Sequence, residues 1–144
     1  MNTHSAFAQQ FADTFARLDR DNLHLLEQIY SEDLHFSDPL HELHGLSAMR
    51  HYCEALYANV SLISFEFQQC HELTQDQAVL RWIMTYQHPR LAGGRPIQVP
   101  GCSFIEYHDL RVHRHADYYD AGALLYEHVP LLGRVIRYLK ARLI

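Results

Sequence analysis

The spacing of apolar residues changes along the chain, from a helical period in the first part to alternation in the middle. Residues 5–19 form the first helical pattern, and residues 46–59 form another, each with apolar side chains every third or fourth position. The apolar positions of the first pattern are Phe7, Phe11, Phe15 and Leu18. Between the two patterns, Asn22 is suited to cap a second, short helix. The sequence therefore predicts three helices in this part of the chain.

From residue 60 onwards, apolar and polar residues alternate, which is the period of a β-strand. Four strands are predicted, at residues 60–73, 77–88, 97–108 and 110–120. Gly93-Gly94 supplies a turn between the second and the third of them. A shorter strand over residues 34–38 is predicted to end at Pro39. Helices followed by mostly consecutive strands indicate an α+β fold with the helices packed on one side of an antiparallel sheet.

The last part of the chain, residues 121–144, is a predicted helical extension that contains many leucines and valines and, in its second half, four cations. Pro130 is placed to start or interrupt the final amphipathic helix. Its basic residues are Arg134, Arg137, Lys140 and Arg142. One interpretation is a helix that docks on the sheet or on a partner subunit, with its cations in solvent. The other is a basic amphipathic helix that contacts an anionic membrane or a lipid substrate.

Composition narrows the class of protein. A chain of 144 residues with 48% apolar residues fits a single domain over residues 1–144 with a substantial core. The net charge of −5 argues against nucleic-acid binding, which requires a basic surface. The odd number of cysteines (Cys53, Cys70 and Cys102), without a C-x-x-C motif, predicts reduced thiols. No signal-peptide pattern is present, so we expect a cytoplasmic protein.

The last predicted strand carries the densest group of residues capable of chemistry. A strict alternation would place His113, His115, Asp117 and Tyr119 on one face. That face is either a solvated surface or the lining of a pocket. In a pocket, imidazole, carboxylate and phenol groups together can donate, accept and transfer protons.

Asp38 also has two interpretations. Next to Pro39, its carboxylate can cap a local amide in a turn. Alternatively, it is a general base at a strand end, facing the same cavity as Asp117. Two carboxyl groups in an apolar pocket cannot both ionise freely, so one of them favours the neutral form while the other stays charged.

The histidines raise the question of a metal site. His113 and His115 have a spacing that strand ligands can use, and His41 or His44 would add a third ligand. The sequence contains no H-E-x-x-H motif and no cysteine pair, so no metal is predicted.

Two segments carry a resemblance to known proteins. Residues 30–39, which contain Asp38, together with the following Gly45, look like the segment of ketosteroid isomerases that bears the catalytic base. The sequence HADYYD at residues 115–120 is similar to the W-R-D-Y-F-D stretch of limonene epoxide hydrolases. With the order of its elements over about residues 5–120, the chain resembles the nuclear transport factor 2-like superfamily, which includes SnoaL-like polyketide cyclases and scytalone dehydratases.

The resemblance implies a cystatin-like fold, in which a strongly curved antiparallel sheet wraps around a conical pocket closed by helices. It also implies a homodimer formed through the outer face of the sheet. The helix tyrosine and the aspartic acid that hold the oxyanion in ketosteroid isomerases correspond to Thr14 or Phe15 and to Ser103. The Arg-x-Asp of limonene epoxide hydrolases corresponds to Arg81 and Ile83. Neither of those two specific reactions is therefore predicted.

The predicted function is acid–base chemistry of the isomerase, cyclase or dehydratase kind on a hydrophobic small molecule, without a cofactor. The residues predicted to be catalytic are Asp38, Asp117, His115 and Tyr119. Those predicted to contact the substrate are Phe36, Arg81, Trp82, Ser103, Ile105 and His113. The alternatives are a non-catalytic ligand-binding or dimeric assembly module, and a peripheral membrane protein that acts on a lipid. The dimer is also expected because one apolar face of the second long strand is predicted to be exposed, formed by Leu80, Trp82, Met84 and Tyr86.

Overall fold

A computed structural model describes the backbone of residues 3–144 and the side chains from residue 7 onwards. Its helices are α1 (Thr3–Ala16), α2 (Leu26–Ile29), α3 (Leu46–Asn59), α4 (Ala121–Leu124) and α5 (Pro130–Arg142). Its strands are β1 (Tyr30–Ser37), β2 (Glu42–His44), β3 (Leu62–Thr74), β4 (Gln77–Gln87), β5 (Ile97–His108) and β6 (Arg111–Tyr119). The strands form one curved, unclosed sheet in the order β2-β1-β6-β5-β4-β3. The predicted α+β fold is confirmed.

The sheet is antiparallel except at one pair. Each strand from β3 to β6 pairs with the next one along the chain in antiparallel fashion. On its other edge, β6 pairs with β1 in parallel. The short strand β2 was not predicted, because three residues are too few to show alternation. The strand predicted at 34–38 begins earlier, at Tyr30, where a register shift before His35 breaks the two-residue period.

The core lies between the concave face of the sheet and the helices α1 and α3. Phe7 and Phe11 of α1 and Met49 of α3 belong to the same buried cluster as Leu80 and Ile105 of the sheet. Contact with the helices thus covers the inner face of the sheet and removes its apolar side chains from water.

The prediction that β4 exposes an apolar face is wrong. Leu80, Trp82, Met84 and Tyr86 are all buried, because they alternate onto the concave side of the sheet. The opposite side of β4 carries residues such as the exposed Arg81. That basis for expecting a dimer is therefore removed, while the dimer itself stays a prediction.

A β-bulge in β6 decides which of its side chains face inward. Tyr107 pairs with Val112, whereas Glu106 pairs with Arg114, so His113 is an extra residue without an opposite partner on β5. Val112 and His115 are consequently both buried. His113 lines a separate surface hollow, so the prediction that it shares the face of His115 is wrong.

The C-terminal helix α5 packs against the turn Tyr126–His128. Gly133 lies so close to the Glu127 carbonyl that a Cβ atom would collide with it, and Lys140 Nζ donates to Glu127 Oε1 at 2.8 Å. The opposite side of α5 exposes a group of large apolar residues, which comprises Leu131, Leu132, Val135, Tyr138 and Leu139. α5 therefore does not bury this apolar side on the sheet.

Within residues 3–144, no helix is long and apolar enough to cross a bilayer.

Candidate functional site

A cavity of about 380 Å³ lies between α3 and the concave face of the sheet. Most of its lining is apolar and aromatic, contributed by Phe15, Phe36, Met49, Leu56, Ile63, Phe65, Trp82, Met84 and Leu124 among others. A few polar side chains interrupt this lining, among them Asp38, Tyr52, Asp117 and Tyr119. An apolar concave site with a small number of convergent polar groups is typical of small-molecule binding.

Asp38 lies in the turn that joins β1 to β2. Its Oδ1 atom accepts hydrogen bonds from the backbone N–H groups of Leu40, at 2.8 Å, and His41, at 2.6 Å. Its Oδ2 atom accepts the hydroxyl proton of Tyr52 at 3.2 Å, and its side chain is only 3% exposed. The carboxylate therefore caps the turn with one oxygen and also lines the cavity.

Asp117 belongs to a buried hydrogen-bond network at the end of β6. Its Oδ1 atom lies 2.6 Å from His115 Nε2 and accepts the Ser103 hydroxyl proton at 2.5 Å. Trp82 Nε1 donates to Ser103 Oγ at 2.8 Å. His115 Nδ1 lies 2.6 Å from the Tyr30 hydroxyl. With Asp117 ionised and His115 neutral, Nε2–H donates to Asp117 and Nδ1 accepts from Tyr30.

The Tyr119 phenol is hydrogen-bonded to Asp38 and lies near Asp117. Burial raises its pKa first, and the negative charges of Asp38 and Asp117 raise it further, together with its hydrogen bond to Asp38. Burial and the charge of Asp38 likewise raise the pKa of the Tyr52 phenol. Both phenols therefore keep their protons at neutral pH and present O–H donors to the cavity.

The structure brings together part of the predicted site. The residues that line the cavity as predicted are Phe36, Asp38, Trp82, Asp117 and Tyr119. Ser103 and His115 are buried and hydrogen-bonded to Asp117, so they support its position from outside the lining. Ile105 is fully buried in the core.

Two predicted substrate contacts lie elsewhere. Arg81 alternates onto the outer side of β4, where its Nη1 donates to Gln69 Oε1 at 3.2 Å. His113 is displaced by the β6 bulge to the surface hollow near Asp33 and Arg111. His113 and His115 therefore cannot ligate one ion together, as the metal interpretation required.

Sequence reasoning missed the roles of two tyrosines. The helical spacing of Tyr52 from Met49 and Leu56 is the signal that could have found it, because both of these residues also line the cavity. No local pattern signals the contact of Tyr30 with His115, which is 85 residues away.

Comparison with known proteins gives one family match. The sequence matches the profile of the SnoaL-like domain over residues 8–115, which is more than half of the chain. A search among curated proteins gives no significant match.

Several solved structures share the fold. A protein from Acidithiobacillus ferrooxidans, assigned as a polyketide cyclase, superposes with a TM-score of 0.69 at 17% identity, over 85% of this chain and 94% of that one. TsrD from Streptomyces laurentii gives a TM-score of 0.71 at 19% identity, over 83% and 92% of the two chains. AclR from Streptomyces galilaeus, assigned as a hydroxylase, gives 0.67 at 18% identity, over 93% and 98%. At these identities the likeness is one of fold.

Proposed function

Because the chain belongs to the SnoaL-like domain family, we propose that its cavity binds a hydrophobic carbonyl compound and catalyses acid–base isomerisation, cyclisation or dehydration. One observation carries the proposal: Asp38 and Asp117, which are far apart in the sequence, line the same apolar cavity, and the Tyr119 phenol lies near both of them. Structural neighbours assigned as a polyketide cyclase and a hydroxylase are consistent with small-molecule chemistry in this fold.

Asp38 is the proposed general base. Its carboxylate takes a proton from the carbon next to the substrate carbonyl. The electron pair of that C–H bond forms a carbon–carbon double bond, and the π pair of the carbonyl moves onto its oxygen, which gives an enolate. The hydroxyl groups of Tyr119 and Tyr52 both lie near Asp38, so one of them donates a hydrogen bond to the developing negative charge. Where the substrate has a carbon–carbon double bond next to that position, the enolate is conjugated with it, and Asp38 returns the proton to the far carbon of that double bond, which completes an isomerisation.

Asp117 and His115 form the proposed second proton-transfer group. His115 Nε2 lies 2.6 Å from Asp117 Oδ1, so a proton taken up by the pair is shared between them. Delivered to a substrate hydroxyl, that proton allows the hydroxyl to leave as water, which is the step a dehydration needs. Tyr30 acts as a positioning residue, because it holds His115 from behind without lining the cavity.

The lining suggests the shape of the ligand. Phe15, Phe36, Phe65 and Trp82 present aromatic rings to the cavity. A volume of about 380 Å³ is near the lower end of typical ligand pockets. We therefore propose a compact aromatic or fused-ring ligand.

Proton abstraction is tested by isotope exchange, which does not require the natural substrate. Aromatic β-ketoesters and cyclic enones serve as probes in D₂O, and deuterium incorporation next to the carbonyl is followed by NMR. Asp38→Asn should lower the exchange rate by about 10²–10⁴-fold, which is the usual contribution of a general base. Asp33→Asn, which changes an exposed carboxylate of β1, is the matched control and should keep the wild-type rate. Exchange that is catalysed equally by Asp38→Asn would exclude Asp38 as the base.

A non-catalytic binding module is the second candidate. It is favoured by the hydrogen bonds of the carboxylates, because protein donors already occupy an oxygen of Asp38 and one of Asp117. Such a module binds the probes with no exchange above the buffer rate. Native mass spectrometry of the purified protein, with and without a probe, separates binding from turnover.

A third candidate is a peripheral membrane protein that takes its ligand from a lipid surface. It is favoured by α5, which contains Arg134, Arg137, Lys140 and Arg142, has no acidic residue, and exposes its apolar side. A second copy of the chain is the other partner that this side would fit.

A further inference from the structure

The geometry points to a divalent transition-metal site on the hairpin formed by β1 and β2. Its ligands are His35, Glu42 and His44, which play no part in the cavity. One atom from each of the three side chains lies within 4.8 Å of the others. We infer that these residues bind a Zn²⁺-like ion at the surface of the protein.

Strand pairing places the three side chains on one face. His35 and His44 are directly opposite each other in the antiparallel pair. Glu42 precedes His44 by two positions, so both project from the same side of β2, and Glu42 is the diagonal neighbour of His35. The convergence therefore follows from backbone register and does not depend on a mobile loop.

The distances suit a metal ion. His35 Nε2 lies 2.9 Å from Glu42 Oε1, and His44 Nε2 lies 3.7 Å from the same oxygen. The two imidazole rings are 4.4 Å apart between centroids. In a tetrahedral zinc site with bonds of about 2.0–2.1 Å, neighbouring ligand atoms are about 3.3–3.4 Å apart. The two distances to Glu42 Oε1 lie on either side of that spacing.

The chemistry of the ligands selects the class of ion. Two imidazoles and one carboxylate suit Zn²⁺, Ni²⁺, Cu²⁺ or Co²⁺ better than Mg²⁺ or Ca²⁺, which prefer oxygen ligands. The side chains of His35, Glu42 and His44 are 33%, 63% and 72% exposed. An ion held there keeps at least one position open to water or to an external ligand.

Occupation of the site would also stabilise the turn that holds Asp38. His35 lies before this turn and Glu42 after it, while the turn itself is closed by a hydrogen bond from Asp38 N to His41 O at 2.9 Å. A metal ion that links the two strands therefore restrains the backbone amides of Leu40 and His41, which fix the carboxylate. The metal site does not require the proposed catalytic function, because its ligands and that turn exist whether or not the cavity turns over a substrate.

The test measures metal binding directly on the full chain without an affinity tag. Isothermal titration with Zn²⁺ should show one site, and added Zn²⁺ should raise Tm. Co²⁺ gives a second readout, because its visible absorption reports coordination by nitrogen ligands. His35→Ala, His44→Ala and the isosteric Glu42→Gln should each weaken Zn²⁺ binding by more than about tenfold, the range seen even for changes in the outer partners of metal ligands.

His51→Ala is the matched control, since His51 is an exposed histidine on α3, and it should bind Zn²⁺ as the wild type does. Far-UV circular dichroism of each variant separates loss of ligands from loss of folding. The inference is overturned if the wild type shows no Zn²⁺ binding at micromolar to submillimolar concentrations. It is equally overturned if the ligand variants, still folded, bind Zn²⁺ and shift the Co²⁺ spectrum as the wild type does.

Discussion

Side chains that do not line the cavity determine the positions of those that do. Tyr30 contacts His115, and both His115 and Ser103 contact Asp117. No buried side-chain nitrogen or oxygen among the described residues lacks a hydrogen-bond partner. Because the network is buried and complete, the removal of a single member leaves another member unsatisfied.

Tyr30→Phe should destabilise the protein by about 1–3 kcal/mol, because it leaves Nδ1 of the buried His115 without its partner. Urea denaturation measures the effect. In a His115→Leu background the same substitution should have a much smaller effect, since the partner is already gone. Equal effects in the two backgrounds would show that the Tyr30–His115 contact contributes nothing to stability.

Gly101→Ala should disturb the Trp82 side of the cavity. Gly101 lies opposite Trp82 in the β4–β5 pair, and a Cβ atom there would collide with the indole ring. Overpacking of this kind costs about 1–3 kcal/mol. Trp82 is the single tryptophan of the chain, so its fluorescence should report the displacement. Trp82→Phe should restore stability to Gly101→Ala, and an unchanged spectrum and midpoint in Gly101→Ala would contradict the close contact.

At the scale of elements, α5 differs from the other long helices in what covers it. α1 and α3 bury their apolar sides against the sheet, whereas Leu131 of α5 is 76% exposed. Arg137 and Lys140 fix the opposite side of α5 to Glu127, which leaves the apolar side facing outward. This arrangement combines an exposed apolar side with a positive charge, which suits an anionic lipid surface.

We expect the full-length protein to sediment with vesicles that contain anionic phospholipid and to remain in solution with zwitterionic ones. Binding should weaken with salt, because exposed charges are screened over about 10 Å at 0.1 M. The double variant Leu131→Gln, Leu139→Gln should lose binding, whereas Leu73→Gln, an exposed leucine of β3, should keep it.

Sedimentation equilibrium of the same variants tests the alternative, in which a second copy of the chain packs against the apolar side of α5. If the wild type is a dimer and the α5 double variant a monomer, with no vesicle binding by either, the apolar side of α5 meets a second copy of the chain instead of a lipid.

At the scale of the whole molecule, burial affects several tyrosine phenols and a cysteine thiol, which are neutral while they keep their protons. Burial is the first cause of the raised phenol pKa of Tyr30, Tyr52, Tyr57, Tyr86, Tyr107 and Tyr119. Burial also raises the pKa of the Cys53 thiol to about 12. The folded state thus keeps protons that the unfolded chain loses at alkaline pH.

Stability should therefore fall as the pH rises above about 8.5, where an unfolded cysteine begins to ionise, and more steeply above about 10, where unfolded tyrosines do. Each group that ionises only in the unfolded state lowers the free energy of unfolding by about 1.4 kcal/mol per pH unit. Urea midpoints measured from pH 7 to 11 check this. Cys53→Ala should flatten the decline between pH 8.5 and 10, and a stability that is constant up to pH 11 would contradict the burial of these groups.

The sequence by itself determined most of the helices and strands. Hydrophobic periodicity is local, so α3 and β5 were predicted with their observed bounds, residues 46–59 and 97–108. The resemblance of residues 30–39 and 115–120 to known motifs supplied the expectation that Asp38 and Asp117 share a cavity, and the structure places both in one lining.

Only the tertiary structure decided which neighbouring residues join that cavity. A bulge in β6 moves His113 to the surface, and alternation along β4 sends Arg81 to the outer side of the sheet while Trp82 turns inward. Contacts such as Tyr30 with His115, and the alignment of His35 with His44, join residues through strand pairing. Local spacing carries no information about register between distant strands, because register is set by the packing of the whole sheet against its helices.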